Sequence, residues 1–157
     1  MKRTSAQPRT SRAKRKVEAQ QLLEEARTLA VSRSKPARGK AFELLHRASR
    51  IGNAEASYAI GTWHLYGRHV PKNFSAAARF FERAAKQAYA PAAFDLAVMC
   101  ETGRGVSKNL SRAFDLYLRA ANLGDADAIR SVARCIYHGI GTARVPALAR
   151  LVLNRCS

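Results

Sequence analysis

Histidine and cysteine are the residue types in this chain that could bind a metal ion or act as nucleophiles. His64 and His69 lie five residues apart across a predicted helix end, and no nearby carboxylate or cysteine completes a ligand spacing such as His-Glu-x-x-His. Cys100, Cys135 and Cys156 are odd in number and show no Cys-x-x-Cys spacing, so neither a disulfide framework nor a thiolate metal site is indicated. We therefore predict no metal, no cofactor and no catalytic residue.

Arginine recurs at a fixed spacing in the second part of the chain, at Arg47, Arg83, Arg119 and Arg155. Glu43 and Asp115 come four residues before Arg47 and Arg119, which is the order that favours an ion pair along a helix. Arg79 takes that place before Arg83, so no acid offsets its charge there. The predicted contacts with an acidic partner are Arg79, Arg83, Lys86 and Arg119. The alternative is a solvated helix face.

The first 16 residues carry seven cations and no acid, a composition that predicts a disordered tail in isolation. Its candidate contacts with a polyanion are Arg12, Lys14, Arg15 and Lys16. Such a tail could neutralise several phosphates, which gives nucleic-acid association as the alternative function, although no aromatic residue is present for base stacking. An anionic lipid surface, an address signal, partner docking or a solubilising extension would fit the same composition.

The 157 residues carry a formal charge of +17, from 28 Lys and Arg against 11 Asp and Glu. A surface of this charge attracts polyanions whatever its role, and the 47% of hydrophobic residues predicts a packed core. The longest apolar stretches, such as residues 92–100 with Asp95 inside it, are shorter than the roughly 20 residues of a membrane span. The basic N-terminus lacks the apolar core of a secretory signal peptide. We expect a cytoplasmic protein without a membrane span.

A period of 36 residues organises the chain. Positions that keep it include Gly67, Gly103 and Gly139, and also Ala41, Ala77, Ala113 and Ala149. In the middle copy, residues 74–86 place apolar side chains at the i, i+3, i+4, i+7 and i+8 positions of one helical face. Asn73 and Asn109 are the predicted N-caps of this first helix and its next copy. A second helix follows and ends at a glycine loop that contains Gly103 and Gly105, where glycine permits positive φ.

A hairpin of two short helices cannot bury its apolar face alone, so the copies must stack. The predicted fold is all-α, a superhelix of stacked antiparallel helix hairpins with about three full repeats. The predicted parts are a tail (1–16), a capping helix (17–34), three units (38–72, 73–108, 109–144) and a half-unit that acts as a lid (145–157).

These repeats resemble the Sel-one-like repeat (SLR) family, a relative of the tetratricopeptide repeat, over about residues 38–157. The resemblance implies an α-solenoid whose curved surface holds a protein or peptide partner, with no catalytic residues of its own. Ala88 and His69 replace glycines that the family pattern expects, and Arg130 replaces an aromatic residue. A non-enzymatic adaptor is therefore the leading function, and the pattern favours no particular oligomeric state.

Overall fold

The computed structural model describes residues 8–154, and the side chains of residues 11–154. Within this range all regular secondary structure is helical, which confirms the all-α prediction. The helices are α1 (Pro8–Ala30), α2 (Lys35–Ile51), α3 (Ala54–Tyr66), α4 (Phe74–Lys86), α5 (Ala90–Thr102), α6 (Leu110–Asn122), α7 (Ala126–His138) and α8 (Pro146–Asn154).

The helices alternate between two layers, because each one packs against the next along the chain. We call α1, α3, α5 and α7 the odd layer, and α2, α4, α6 and α8 the even layer. Ion pairs also join neighbours within a layer, as between Arg27 of α1 and Glu55 of α3, or Arg112 of α6 and Glu82 of α4. The result is the stacked α-solenoid that the 36-residue period predicts.

The core is filled by alanines at helix contacts and by a few large side chains between them. Ala77 and Ala113 are buried at equivalent positions of α4 and α6, where their small size lets the helices approach closely. Phe81 is 0% exposed. A Cβ atom added at Gly61 of α3 would lie 2.5 Å from its ring, so the absence of a side chain there lets Phe81 of α4 pack directly on α3.

The helix ends follow from local hydrogen bonds. Asn73 and Asn109 act as N-caps, because each side chain accepts the backbone N–H three residues later, and Asn53 and Asp125 do the same in the odd layer. The odd-layer helices α3, α5 and α7 each end at a glycine in the left-handed conformation, at Gly67, Gly103 and Gly139.

Ala88 lies in the turn between α4 and α5 with a φ of 60°, where the equivalent turns have Gly52 and Gly124. A left-handed alanine costs about 1–2 kcal/mol, more than the roughly 0.4–1 kcal/mol by which glycine's greater freedom stabilises the unfolded chain. We expect Ala88→Gly to raise the free energy of unfolding by about 0.5–1 kcal/mol, measured by urea denaturation. A lower urea midpoint for the variant would show that this turn is not strained.

The structure differs from the predicted N-terminal boundary. Helix α1 begins at Pro8, so residues 8–16 are helical although their composition predicted a disordered tail. Proline is tolerated in the first turn, and Arg, Lys and Ala are good helix formers. Leu22, Leu23 and Ala26 anchor α1 in the core, and each further residue then extends the helix without a new nucleation cost. Residues 1–7 lie outside the described range.

The C-terminal half-unit is a single helix that packs on α7. Helix α8 buries Ala149 against the stack, while Leu148 and Leu151 on its outer side are 45% and 62% exposed. Its role as the lid of the stack stays a prediction.

Candidate partner-binding surface

Helix α4 carries a stripe of cations along its exposed side. Arg79 and Arg83 lie one turn apart, and neither guanidinium forms an ion pair or hydrogen bond with the described residues. Lys86 continues the stripe, with its Nζ 3.8 Å from an oxygen of Glu82. The same Glu82 oxygen lies 3.2 Å from Arg112, so one carboxylate is shared by two cations. The stripe therefore keeps a net positive charge.

Arg119 differs from the other predicted contacts, because it is engaged within the fold. Its Nη2 donates to the backbone carbonyl of Ala85, 2.6 Å away, near the C-terminal end of α4. The same carbonyl also accepts the backbone N–H of Ala88, so the bond from Arg119 is an additional one that holds α6 against α4.

The two predicted pairs along the arginine column do not form. Within the described chain neither Glu43 and Arg47 nor Asp115 and Arg119 make an ion pair. An exposed ion pair four residues apart stabilises a helix by only about 0.2–0.5 kcal/mol. This gain is barely larger than the entropic cost of fixing the two side chains. Arg155 lies outside the residues that the structure describes.

The cations predicted for polyanion contact lie on the N-terminal half of α1. Arg12, Lys14, Arg15 and Lys16 are all exposed. All except Lys14 line a cleft of about 710 Å³ between α1 and the turns at the ends of α2 and α4. The described lining of this cleft contains no carboxylate. The helix thus groups three of the four residues, an arrangement that a disordered tail does not have.

Two histidines meet phenylalanine rings between α2 and α4. The ring centroid of His46 lies 4.6 Å from that of Phe42 and 5.4 Å from that of Phe80, and His64 stacks on Phe80 at 6.1 Å. Burial lowers the pKa of His46, and the nearby charge of Arg50 adds to the effect. These histidines are therefore aromatic packing residues. Among residues 8–154, no group of three or more His, Cys, Asp or Glu side chains could hold a metal ion.

We expect the protein to lose stability as the solution is acidified through the titration of His46. Its pKa in the folded state is below the ordinary 6.5, so the folded state binds fewer protons than the unfolded state. The contribution of His46 to the free energy of unfolding is therefore complete above pH 6.5, and it is lost as the pH drops through the pKa of the folded state. Thermal melts at about pH 7.5 and pH 5.5 should show a smaller pH effect in His46→Gln. An equal pH effect in both proteins would exclude His46 as the cause.

Cys100 and Cys135 are buried free thiols in the core. Burial raises the pKa of both. They occupy repeat positions at which other units have apolar side chains, such as Ile136 for Cys100 and Met99 for Cys135. Cys156 lies outside the described residues.

A polar network ties three successive helices together. The Tyr117 hydroxyl of α6 donates to Glu101 of α5 at 2.7 Å, and Arg134 of α7 donates two hydrogen bonds to the same carboxylate at 2.9 and 2.7 Å. The hydrogen bonds from Arg134 hold the pKa of Glu101 below its usual range. Arg130 of α7 stands where the family pattern has an aromatic residue, and it pairs with Asp127.

Three further concave features involve odd-layer helices and lie away from Arg79 and Arg83. Cavities of about 240, 230 and 380 Å³ lie between α1 and α3, between α3 and α5, and between α7 and α8. Neither Arg79 nor Arg83 lines any of the three. Sequence reasoning missed Asp95, which faces the second cavity. The feature of the sequence that could have identified Asp95 is its place as the one acidic residue within the apolar run of residues 92–100.

The repeats match a family model. The Sel1 repeat model matches residues 34–53, 54–89, 90–125 and 126–151. The chain belongs to the Sel1 repeat family. The Sel1 units from residue 54 onward begin with an odd-layer helix and pair α3 with α4, whereas the units predicted from the sequence pair α4 with α5. Sel1 repeat proteins generally act as non-enzymatic scaffolds for protein–protein interaction.

Solved structures share this Sel1 fold at low sequence identity. A protective antigen of uropathogenic Escherichia coli with an SLR fold is 23% identical with a TM-score of 0.82, and a Sel1 repeat protein of Oxalobacter formigenes is 23% identical with a TM-score of 0.77. These matches cover 88% and 96% of this chain, which spans 30% and 60% of the length of the two proteins. Cysteine-rich protein B of Helicobacter pylori is 21% identical with a TM-score of 0.59, over 74% of this chain and 93% of its own.

None of the curated proteins matches the chain in sequence. Across residues 8–154, no helix combines the length and the apolar character that crossing a bilayer requires.

Proposed function

We propose that this Sel1 repeat chain is a non-enzymatic adaptor whose α4 face captures an acidic segment of a partner protein. The observation that carries the proposal is the pair Arg79 and Arg83, which lie one turn apart and form no ion pair with the side chains of residues 11–154. Like charges at this spacing repel each other by a few tenths of a kcal/mol in the free protein. A partner carboxylate between them would remove that repulsion and form charge-assisted hydrogen bonds.

The α4 helix is suited to this role because its opposite face is fixed in the core. Ala77, Phe81 and Ala84 are fully buried, so the helix presents its arginines from a rigid element. A guanidinium group can bind both oxygens of a carboxylate, and two such groups one turn apart fit acidic residues on an extended or helical segment.

Charge reversal on the intact chain tests the proposal. Tagged wild-type protein would be used to capture partners with and without nuclease, followed by mass spectrometry. Arg79→Glu with Arg83→Glu is the test variant. Arg12→Glu with Lys16→Glu is the matched control, because it changes the formal charge equally at the same spacing on an exposed helix face. We expect the test variant to lose nuclease-resistant protein partners that the control keeps.

The two variants separate the adaptor from the nucleic-acid alternative. Equal retention by both variants would remove Arg79 and Arg83 from the binding surface. Partners lost only by the Arg12 and Lys16 variant, and only in the absence of nuclease, would instead favour nucleic-acid binding through α1.

The adaptor is proposed to work in a reducing compartment, as the sequence predicts for the cytoplasm. The described free thiols, Cys100 and Cys135, are fully buried and make no disulfide. In cells that are quenched with acid and then unfolded, both cysteines should react with a thiol-specific alkylating reagent, and blocked thiols would contradict a reducing compartment.

A further inference from the structure

Asp95 is a half-buried carboxylate without a cation partner in the described part of a strongly basic chain. It lies in α5 and faces the cavity of about 230 Å³ between α3 and α5. Tyr58 of α3 lies close to Asp95, and each of the two groups shifts the pKa of the other. Burial raises the pKa of Asp95, and the charge of Asp125 adds to the effect. A buried carboxylate of this kind is stabilised by a cation.

The remaining cavity wall suits an aliphatic chain that leads to Asp95. Apolar side chains contributed by α3 and α5 are Leu65, Val98 and Met99. Thr102 of the same wall comes seven residues after Asp95, which places it about 10 Å farther along α5. The cavity is therefore long enough for the stem of one lysine or arginine side chain.

Two cations line the same cavity but do not neutralise Asp95. The Nζ of Lys72 and the guanidinium carbon of Arg104 lie 5.1 and 5.0 Å from the centroid of the Phe74 ring. Neither forms an ion pair with Asp95. Arg104 comes after the last residue of α5, Thr102. Its charge therefore lies at the end of the cavity that is farther from Asp95.

We infer that this cavity binds a lysine or arginine side chain of a partner protein, with the alkyl stem along Leu65, Val98 and Met99 and the cation at Asp95. Tyr58 is a positioning residue, because it lies near the carboxylate on the neighbouring helix α3 and interacts with it electrostatically. This inference rests on the proposed adaptor function. The site lies on the odd layer and binds a cation, whereas Arg79 and Arg83 bind an acidic segment. Ala59 and Ser131 occupy the equivalent positions of α3 and α7, so the acid belongs to one unit only.

The test uses small probes on the full chain. n-Butylguanidinium imitates an arginine side chain, and valerate is an anionic control of similar length. Methyl NMR spectra should show saturable shifts at Leu65, Val98 and Met99 with n-butylguanidinium and none with valerate. Equal shifts with both probes would overturn the inference, because the apolar wall or the two cations would then dominate recognition.

Substitution of Asp95 supplies the second arm. Asp95→Asn keeps the shape of the side chain, and we expect it to weaken n-butylguanidinium binding by about tenfold or more. Asp115→Asn, which removes an exposed acid on α6, should leave binding unchanged. Unchanged binding in Asp95→Asn would contradict the inference.

Three further measurements distinguish binding at Asp95 from a purely structural role of this residue, and distinguish this cavity from the Arg79 and Arg83 surface. In the wild-type chain, n-butylguanidinium should lower the pKa of the Asp95 carboxyl group, followed by carbon NMR, and an unmoved pKa would overturn the inference even if Asp95→Asn fails to fold. Tyr58→Phe should weaken probe binding and alter the same titration. The Arg79→Glu and Arg83→Glu variant should bind the probe normally, so failure of the adaptor proposal remains distinguishable.

Discussion

Replacing Phe81 with alanine will lower the free energy of unfolding by about 3–5 kcal/mol. The Phe81 ring is fully buried and lies against Gly61 and the Tyr58 ring, whose centroid is 5.4 Å away. Its neighbours include many alanines, which have no side-chain freedom with which to fill the space. The cavity that remains therefore adds to the lost apolar burial.

Urea denaturation would measure this effect, with Phe80→Ala as the matched control. Phe80 is the adjacent residue but is only partly buried, so its truncation should cost clearly less. Hydrogen exchange should accelerate most in α3, α4 and α5, because units of a solenoid contact only their neighbours. A loss below about 1 kcal/mol for Phe81→Ala would contradict the packing described above.

Gly105→Ala is expected to destabilise the chain by about 2–4 kcal/mol. Gly105 has a φ of 72°, and a Cβ atom there would lie 2.4 and 2.5 Å from the carbonyl carbon and oxygen of Phe74. These are backbone atoms at the start of α4, so they cannot move aside as a flexible side chain can. The substitution forces the loop away from α4 as well as imposing a left-handed alanine.

Gly124→Ala separates these two costs. Gly124 has a φ of 93° but no atom within 4 Å of its added Cβ, so only the conformational cost of about 1–2 kcal/mol applies. Urea denaturation of both variants gives the comparison. Equal losses would show that the close approach of the loop to Phe74 contributes nothing.

The residues equivalent to Gly105 in the other two loops show which side chains this position of the repeat can accept. Gly141 makes the same close approach to the backbone of Leu110. In the first loop His69 takes this place with a φ of 63°, and its ring meets that of Trp63 at 4.9 Å. The aromatic contact offsets part of the strain of a left-handed histidine, which accounts for this departure from the family pattern.

The fold could be predicted because the repeat encodes it several times. The full copies repeat the alanine positions and the glycine loop, and two of them share the Asn73-type cap, so helix bounds and buried faces follow from local sequence. The start of α1 could not be predicted in this way. Residues 8–16 have no apolar face of their own, and their helix depends on packing farther along, at Leu22 and Leu23.

The surface features were less predictable, because they depend on contacts between units rather than within one. Arg83 and Arg119 are equivalent in sequence, but only Arg119 reaches a backbone carbonyl of the preceding unit, at Ala85. Periodicity likewise does not tell where between the helices the surface is indented. Asp95 was visible as a break in an apolar run, but its cavity and its neighbour Tyr58 required the structure.

The most direct test of the adaptor proposal is to map a captured partner onto the full chain. The acidic segment of that partner would be titrated into labelled protein, and backbone amide shifts would be followed by NMR. We predict that the largest shifts cluster on α4 around Arg79 and Arg83 and disappear in the double charge-reversal variant. Shifts confined to residues 11–16 of α1, or unchanged in that variant, would contradict the account.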